Sequence, residues 1–396
     1  MGGYLSSPCK EERKHDVRYV AETGPFCVIC GGPFDIEGEI YNIDPKDPQF
    51  SWLYDLRLIG NTQDLQHHVV ASEGYASPIN ISSLPDSFLS EPACFSLTGS
   101  GFFHVAGQDG QNDIWIDALC RMPGHGTLFP LHDACLETSC RAIEHHQLNR
   151  KECERKPALE VLIDLLNSCF IDKRERDGSA SSANDLFNLS SHCSVYGPRS
   201  VLALTKLEWW GGGYDRYFAN PIERGNTTPF VQRVLQTFPR TKYMPAFTAL
   251  PSRQYQRLEC LPKELLDEIS SHLPISSVIA LHRTSKLLAL QTPLDSNFWR
   301  NSLGEGSLHP HVWDLDAKRV EQLLPQPATA PLDPTASWDW RSVAKLLAAK
   351  RSPINRRDDR LVDVPAGFWN RCRIWATVEE ALQARMNELA TELLVT

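Results

Sequence analysis

Two short motifs hold the residues of this sequence best suited to chemistry. Cys27-Val28-Ile29-Cys30-Gly31-Gly32 is a C-x2-C turn followed by glycines. That spacing lets two thiolates face one ion, and glycine lets the backbone turn tightly afterwards. Far downstream, His132-Asp133-Ala134-Cys135 falls at the start of a predicted helix. An i, i+3 pair lies on one helix face, so both side chains can reach the same ion. Phe129-Pro130-Leu131 would set the helix entry. Together Cys27, Cys30, His132 and Cys135 make a C-x2-C…H-x2-C set. Such a set suits one structural zinc, and four protein ligands close the ion to chemistry. Binding would supply on the order of 10 kcal/mol to folding. The wide separation requires a domain-sized insertion between the two halves of the site. Cys120, Cys140, His125, His67 and His68 are rival ligands. The competing reading makes Cys27 and Cys30 small buried hydrophobes and His132 a hydrogen-bonded surface residue.

The elements that position these residues must come from a chain of 396 residues, long enough for two or three domains. Hydrophobic residues make up 42% and charged residues 22%, ordinary for a globular protein. The formal net charge of −9 argues against sequence-independent nucleic-acid binding, which needs a basic surface. No apolar run is long enough for a transmembrane helix, and the N-terminus lacks a secretory h-region. The expected location is therefore the cytosol or nucleus, where the 12 cysteines stay reduced, buried or metal-bound. Met1-Gly2 with Ser6 fits the minimal myristoylation pattern, which anchors only marginally.

The expected fold class is α+β. Residues 1–25 are polar and read as a disordered start. Residues 26–150 read as a mixed domain of short strands and helices, with apolar runs at Ile40–Ile43, Leu56–Ile59 and Cys94–Leu97. A helical pattern with Leu136, Ala142 and Ile143 closes it. Residues 151–250 read as helical or irregular, with a helix at 157–170 and an exposed loop at 171–185. Trp209-Trp210-Gly211-Gly212-Gly213 lacks the Lys-Ser/Thr of a phosphate loop and reads as a turn. Residues 304–396 read as a helical C-terminal region with a Pro/Ala-rich linker near 322–336. There Val378, Leu382, Met386, Leu389 and Leu393 stack on one helix face.

Residues 258–303 form a separate all-helical module. Pro262 suits a first helical position, and Pro274 stops the helix. Leu265, Leu266, Ile269 and Leu273 follow helical spacing. Ser276 or Ser277 can cap a second helix carrying Val278, Ile279 and Leu281. A third helix runs through Lys286–Leu290, and Asp295 or Ser296 caps a fourth with Phe298, Trp299 and Leu303. Each fully buried Leu or Ile contributes about 1.5–3 kcal/mol. So small a unit holds more apolar groups than it can hide, and must pack on the rest of the chain or face a partner.

The order Leu261-Pro262-x-Glu264-Leu265-Leu266-x-x-Ile269, then Leu273-Pro274, Leu281, Ser285-Lys286 and Phe298-Trp299-Arg300 resembles an F-box. In that family a short helical module docks on the Skp adaptor of a cullin-based (SCF) ubiquitin ligase. The resemblance implies an adaptor-binding face of Leu261, Pro262, Leu265, Leu266, Ile269, Leu273 and Val278, with Trp299 beneath or beside it. A looser resemblance links the chain to fungal F-box proteins with a long N-terminal region and a C-terminal element, here Asn370-Arg371-Cys372-Arg373-Ile374-Trp375. It implies a non-catalytic substrate receptor, partnered by Skp adaptor and cullin and recruiting a protein substrate the sequence does not identify.

Two other readings stand beside it. The chain could be a zinc-containing scaffold acting outside a ligase. It could instead be an enzyme whose N-terminal half pairs Cys135 with His132, or Cys94 with His104, as nucleophile and base. The aromatic residues at Trp209–Tyr217 and Trp338–Trp340 are candidate substrate contacts, with core packing as the default.

Overall fold

The computed structural model describes residues 27–30, 32, 34, 46–70, 85–96, 102–106, 114–118, 124–148, 155–175, 218–223, 225–242, 257–324, 336–348, 359–361 and 363–395. The N-terminal stretch with Gly2, the Ile40–Ile43 run, Cys120, the Trp209–Gly213 turn and most of the Pro/Ala-rich linker lie outside these residues. The N-terminal region mixes strands and helices, and the C-terminal region is largely helical. The chain divides into two compact units: unit 1 spans Met1–Ile222 and Ala366–Thr396, and unit 2 spans Glu223–Pro365.

Unit 1 is built on a seven-stranded sheet. Its strands are β1 (Leu56–Asn61), β2 (Val69–Val70), β3 (Ser87–Leu89), β4 (Ala93–Ser96), β5 (Phe102–Val105), β6 (Ile114–Ile116) and β7 (Phe129–His132). Six run in the order β2-β6-β5-β4-β1-β3, and β7 pairs with β1. Helix α1 (Thr62–His68) follows β1 directly, and α2 (Asp133–Leu148) follows β7 directly. β1 is buried at Leu56, Leu58, Ile59 and Gly60, on both faces of the sheet, so it is a central strand. Helix α3 (Ala158–Glu175) packs on β1 and β3. It runs past the expected loop start at residue 171, because Lys, Arg and Glu in Asp172-Lys173-Arg174-Glu175 are good helix formers that can continue the last turn. The C-terminal helix Ala366–Val395 returns to this unit and packs against α2 and α3. Of its apolar stripe, Val378 and Leu382 are buried. Met386 Sδ meets His146 Nε2 at 3.2 Å, and Leu389 is 44% exposed. The Leu393 side chain lies outside the described residues.

Two close approaches fix the sheet around β7. Leu58 directs its N–H to Ser90 Oγ (2.9 Å) and accepts from Ser90 N–H (2.9 Å). The Leu58–Pro130 pair is therefore not hydrogen-bonded, and the donor that proline lacks costs no ladder bond. A Cβ on Gly60 would lie 2.5 Å from Leu128 Cδ2 and 3.0 Å from the Thr127 carbonyl oxygen. The side chain can yield, but the backbone cannot. We expect Gly60→Ala to lower unfolding stability by about 1–3 kcal/mol, measurable by urea denaturation, whereas an unchanged midpoint would contradict this packing.

Among the described residues, unit 2 is helical apart from a two-stranded ribbon, β8 (Thr241–Lys242) with β9 (Ala336–Ser337). Its helices are α4 (Thr227–Thr237), α5 (Lys263–Ser271), α6 (Ile275–Thr284), α7 (Lys286–Gln291), α8 (Ser296–Leu303), α9 (Ala317–Leu323) and α10 (Trp340–Leu347). Side-chain caps set several starts: Ser285 for α7, Asp295 for α8, Asp316 for α9 and Asp339 for α10. Pro262 and Pro274 stand just before α5 and α6 as their N-caps, so Ser276 and Ser277 lie inside α6 and cap nothing. Proline outside the first turn forces extended backbone before each helix without disturbing its bonds. The core gathers Phe230, Val234, Leu303, Val320, Trp340 and Val343. Trp340 is 1% exposed, which makes it a core residue and no substrate contact, while Trp338 carries Arg240 over its ring at 4.3 Å. The turn around Trp209 lies outside the described residues.

Candidate metal centre

Strand β7 and helix α2 form one half of the centre, and the C-x2-C turn forms the other. His132 is the last residue of β7, not a helical residue as its spacing suggested. Pairing of His132 with Leu56 across β1 holds it in the strand, and Asp133 N–H donates to the Asp55 carbonyl (2.8 Å) where the helix begins. Cys135 sits one turn further on, in the first turn of α2. The C-x2-C turn docks on the free edge of β7: Val28 N–H donates to the Pro130 carbonyl at 3.2 Å. Cys27 N–H closes the turn on the Gly32 carbonyl (2.9 Å), and Gly32 N–H donates to Cys30 Sγ (3.3 Å). Strands β1 to β6 all lie between the two halves in sequence, so the insertion that the spacing required is the sheet itself.

Sγ of Cys27, Cys30 and Cys135 and the ligating nitrogen of His132 all lie within 4.8 Å of one another. His132 Nδ1 is 3.4 Å from Cys30 Sγ and 3.9 Å from Cys135 Sγ. A tetrahedral ion with metal–sulfur bonds of about 2.3 Å separates its sulfurs by about 3.8 Å, so these separations suit one ion at the centre. Each of the four residues is at most 1% exposed, and all three cysteines are free thiols. The His132 ring is held edge-to-face by Phe34 (5.2 Å) and Trp52 (5.1 Å). Nε2 is buried with no hydrogen-bond partner among the described residues, so the ring's polar contacts are all on its Nδ1 side.

Electrostatics point the same way. Burial alone would pull His132 down, but the neighbouring Cys27 and Cys30 outweigh it and push the imidazole up to about 10. Burial would raise the Cys30 thiol, yet hydrogen bonds from Cys135 and Cys27 and the His132 charge hold it well below the ordinary thiol range. Burial and the neighbouring Cys27 and Cys30 push Cys135 well up. The pocket is sealed from water and calls for a positive charge at its centre. A proton on His132 supplies one; a divalent cation with three thiolates supplies it better.

The rival ligands are engaged elsewhere. His67 and His125 stack at 3.7 Å, and His68 holds its two nitrogens 3.0 Å from the Asp117 and Gly126 carbonyl oxygens. Burial and Glu144 push Cys140 up to about 12. Cys94 and His104 are opposed across β4 and β5, with Cys94 exposed and His104 against Trp115 at 5.1 Å. Of the residues singled out in the helical module, Leu265 is 51% and Ile269 36% exposed, and Pro262 is exposed too. Leu261, Leu273 and Trp299 are half-buried, with Trp299 Nε1 donating to the Leu294 carbonyl (3.0 Å). Leu266 (0%) and Val278 (3%) point into unit 2 and do not belong to its surface.

Spacing alone did not point to the residues around the centre: Phe34, Trp52 and, from the C-terminal helix, Arg373, whose Nη1 donates to the Cys30 carbonyl at 3.0 Å. The available signal was an Asn-Arg-x-Arg cluster inside an otherwise apolar helical stripe, which demands buried partners. Comparison of the chain with family models, curated proteins and solved structures gives no match.

Proposed function

We propose that this protein is a non-catalytic interaction scaffold whose unit 1 is closed by one structural zinc, held by Cys27, Cys30, His132 and Cys135. The observation that carries this reading is the convergence of four buried ligand atoms within 4.8 Å from two distant segments. Three thiolates and one imidazole in tetrahedral reach favour zinc over harder ions, which prefer oxygen. Four protein ligands leave no position for water or substrate, so the ion's role is to fold the unit. Metal analysis of the purified full chain should return one zinc per chain for wild type and a large loss for Cys27→Ser with Cys30→Ser. Equal and negligible zinc in both would overturn the reading.

A second reading adds the partner that the scaffold serves. It is favoured by the outward apolar face of α5, where Leu265 and Ile269 lie one turn apart and exposed. Exposed large side chains at i, i+4 are the pattern of a helix laid against a partner. The resemblance of residues 258–303 to an F-box names that partner as the Skp adaptor of a cullin ubiquitin ligase. The chain would then bring a protein substrate to the ubiquitin-charged enzyme and contribute proximity, with catalysis done elsewhere. Recombinant adaptor should co-purify with the full chain; failure to do so would remove this second reading and leave the zinc reading standing.

A further inference from the structure

Arg373 lies 343 residues from Cys30 in sequence, yet its Nη1 donates to the Cys30 carbonyl at 3.0 Å. The guanidinium is fixed from its other side: Nε and Nη2 both donate to Asn370 Oδ1, at 3.0 and 2.8 Å. Asn370 Nδ2 in turn donates to the Ala219 carbonyl (2.9 Å), and Arg371 Nε donates to the Pro221 carbonyl (2.6 Å). At the other ligand, Trp52 meets the His132 ring and donates its Nε1 to the Phe218 carbonyl (2.8 Å). The segment Phe218–Pro221 is thus tied to the centre twice, once through Trp52 and His132 and once through Asn370, Arg373 and Cys30. Asn370 is 0% and Arg373 5% exposed.

We infer that Arg373, oriented by Asn370, is a positioning residue of the metal centre: it fixes the Cys30 turn and supplies the counter-charge for the metal–thiolate cluster. The inference rests on the zinc reading and adds a long-range outer partner to it. Three thiolates around one divalent ion leave a net charge of about −1, and a buried net charge is costly without an opposite one nearby. A guanidinium bonded to the backbone of a ligand residue is placed to meet that cost. Its planar fork grips Asn370 with two N–H groups while a third reaches Cys30, so orientation and charge come from one side chain. Metal affinity and docking of the C-terminal helix are then linked, and by reciprocity each strengthens the other. Outer partners of metal ligands typically carry 10–100-fold in affinity.

The test is zinc affinity of the full chain by competition with a chromophoric chelator, using three variants. Arg373→Met should weaken zinc binding about 10–100-fold. Arg373→Lys keeps the charge but not the fork, and should restore part of that loss, leaving zinc binding within a few-fold of wild type. Val378→Ala opens a cavity in the same helix, where Val378 is fully buried, and should weaken zinc far less than Arg373→Met at an equal loss of thermal stability. If Arg373→Met does not fold, the Lys variant decides: binding within a few-fold of wild type supports the inference, and a loss as large as that predicted for Met overturns it. Equal losses for Arg373→Met and Val378→Ala at matched stability would reduce Arg373 to general packing and also overturn it. Wild type that binds no zinc would instead overturn the zinc reading itself, a distinct outcome.

Discussion

Removing the proposed zinc from the full chain, by chelation or by Cys27→Ser with Cys30→Ser, should unfold unit 1 and leave unit 2 folded. The size of the expected effect follows from what the ion would hold together. Among the described residues, the C-x2-C turn and Phe34 beyond it reach the sheet through one backbone hydrogen bond, Val28 to Pro130, through the Phe34 ring against Phe95 and Phe103, and through the ligand cluster. Without the ion, the cluster becomes a buried group of thiols around an imidazole whose Nε2 has no partner among the described residues. Structural zinc supplies on the order of 10 kcal/mol to small domains, whereas a domain's whole stability is about 5–15 kcal/mol. Calorimetry of the zinc-loaded chain should show two transitions, one for each compact unit. After chelation the first should vanish at 25 °C while the second keeps its midpoint, and added zinc should restore the first. Two unaltered transitions in metal-free protein would show that the sheet and its helices carry unit 1 unaided.

Leu265→Asp combined with Ile269→Asp should abolish capture of the Skp adaptor while leaving the fold untouched. Both side chains are exposed, so the variants create no cavity and bury no charge within the chain. Surface changes of this kind alter stability by about 0.5 kcal/mol or less. At an interface the same two positions would be central anchors, where truncation alone costs about 2 kcal/mol or more each. Burying two unpaired carboxylates adds to that, so binding should weaken by at least about 100-fold. Leu266→Asp makes the informative contrast. Leu266 is fully buried, and its replacement should unfold unit 2 rather than report on a partner. Adaptor binding that survives the double variant would place the contact elsewhere or dismiss it.

The contrast between Leu265 and Leu266 also shows where sequence reading stops. Helical spacing correctly marks Leu265, Leu266 and Ile269 as one apolar stripe, because residues three and four apart share a face. Neighbouring residues, however, point about 100° apart. Which edge of the stripe the rest of the chain covers is decided by the packing of unit 2, which pattern alone does not contain. The candidate metal ligands were legible for a different reason. Thiol and imidazole chemistry limits the sets of residues that can hold one ion, so C-x2-C and H-x2-C stand out even when a whole sheet separates them. His132 shows the limit there too. Its spacing from Cys135 suggests a helix face, but pairing with Leu56 keeps it at the end of a strand. The return of the C-terminal helix was least visible. Its apolar period marks a buried face without naming what buries it, and only the cluster Asn370, Arg371 and Arg373 hinted at polar partners waiting in the core.

The most direct test of the central claim is zinc-edge X-ray absorption on the full chain purified without added metal. One zinc per chain is expected, with three sulfur neighbours at about 2.3 Å and one nitrogen at about 2.0 Å. A zinc-free protein, or a shell of oxygen ligands or bound water, would contradict it.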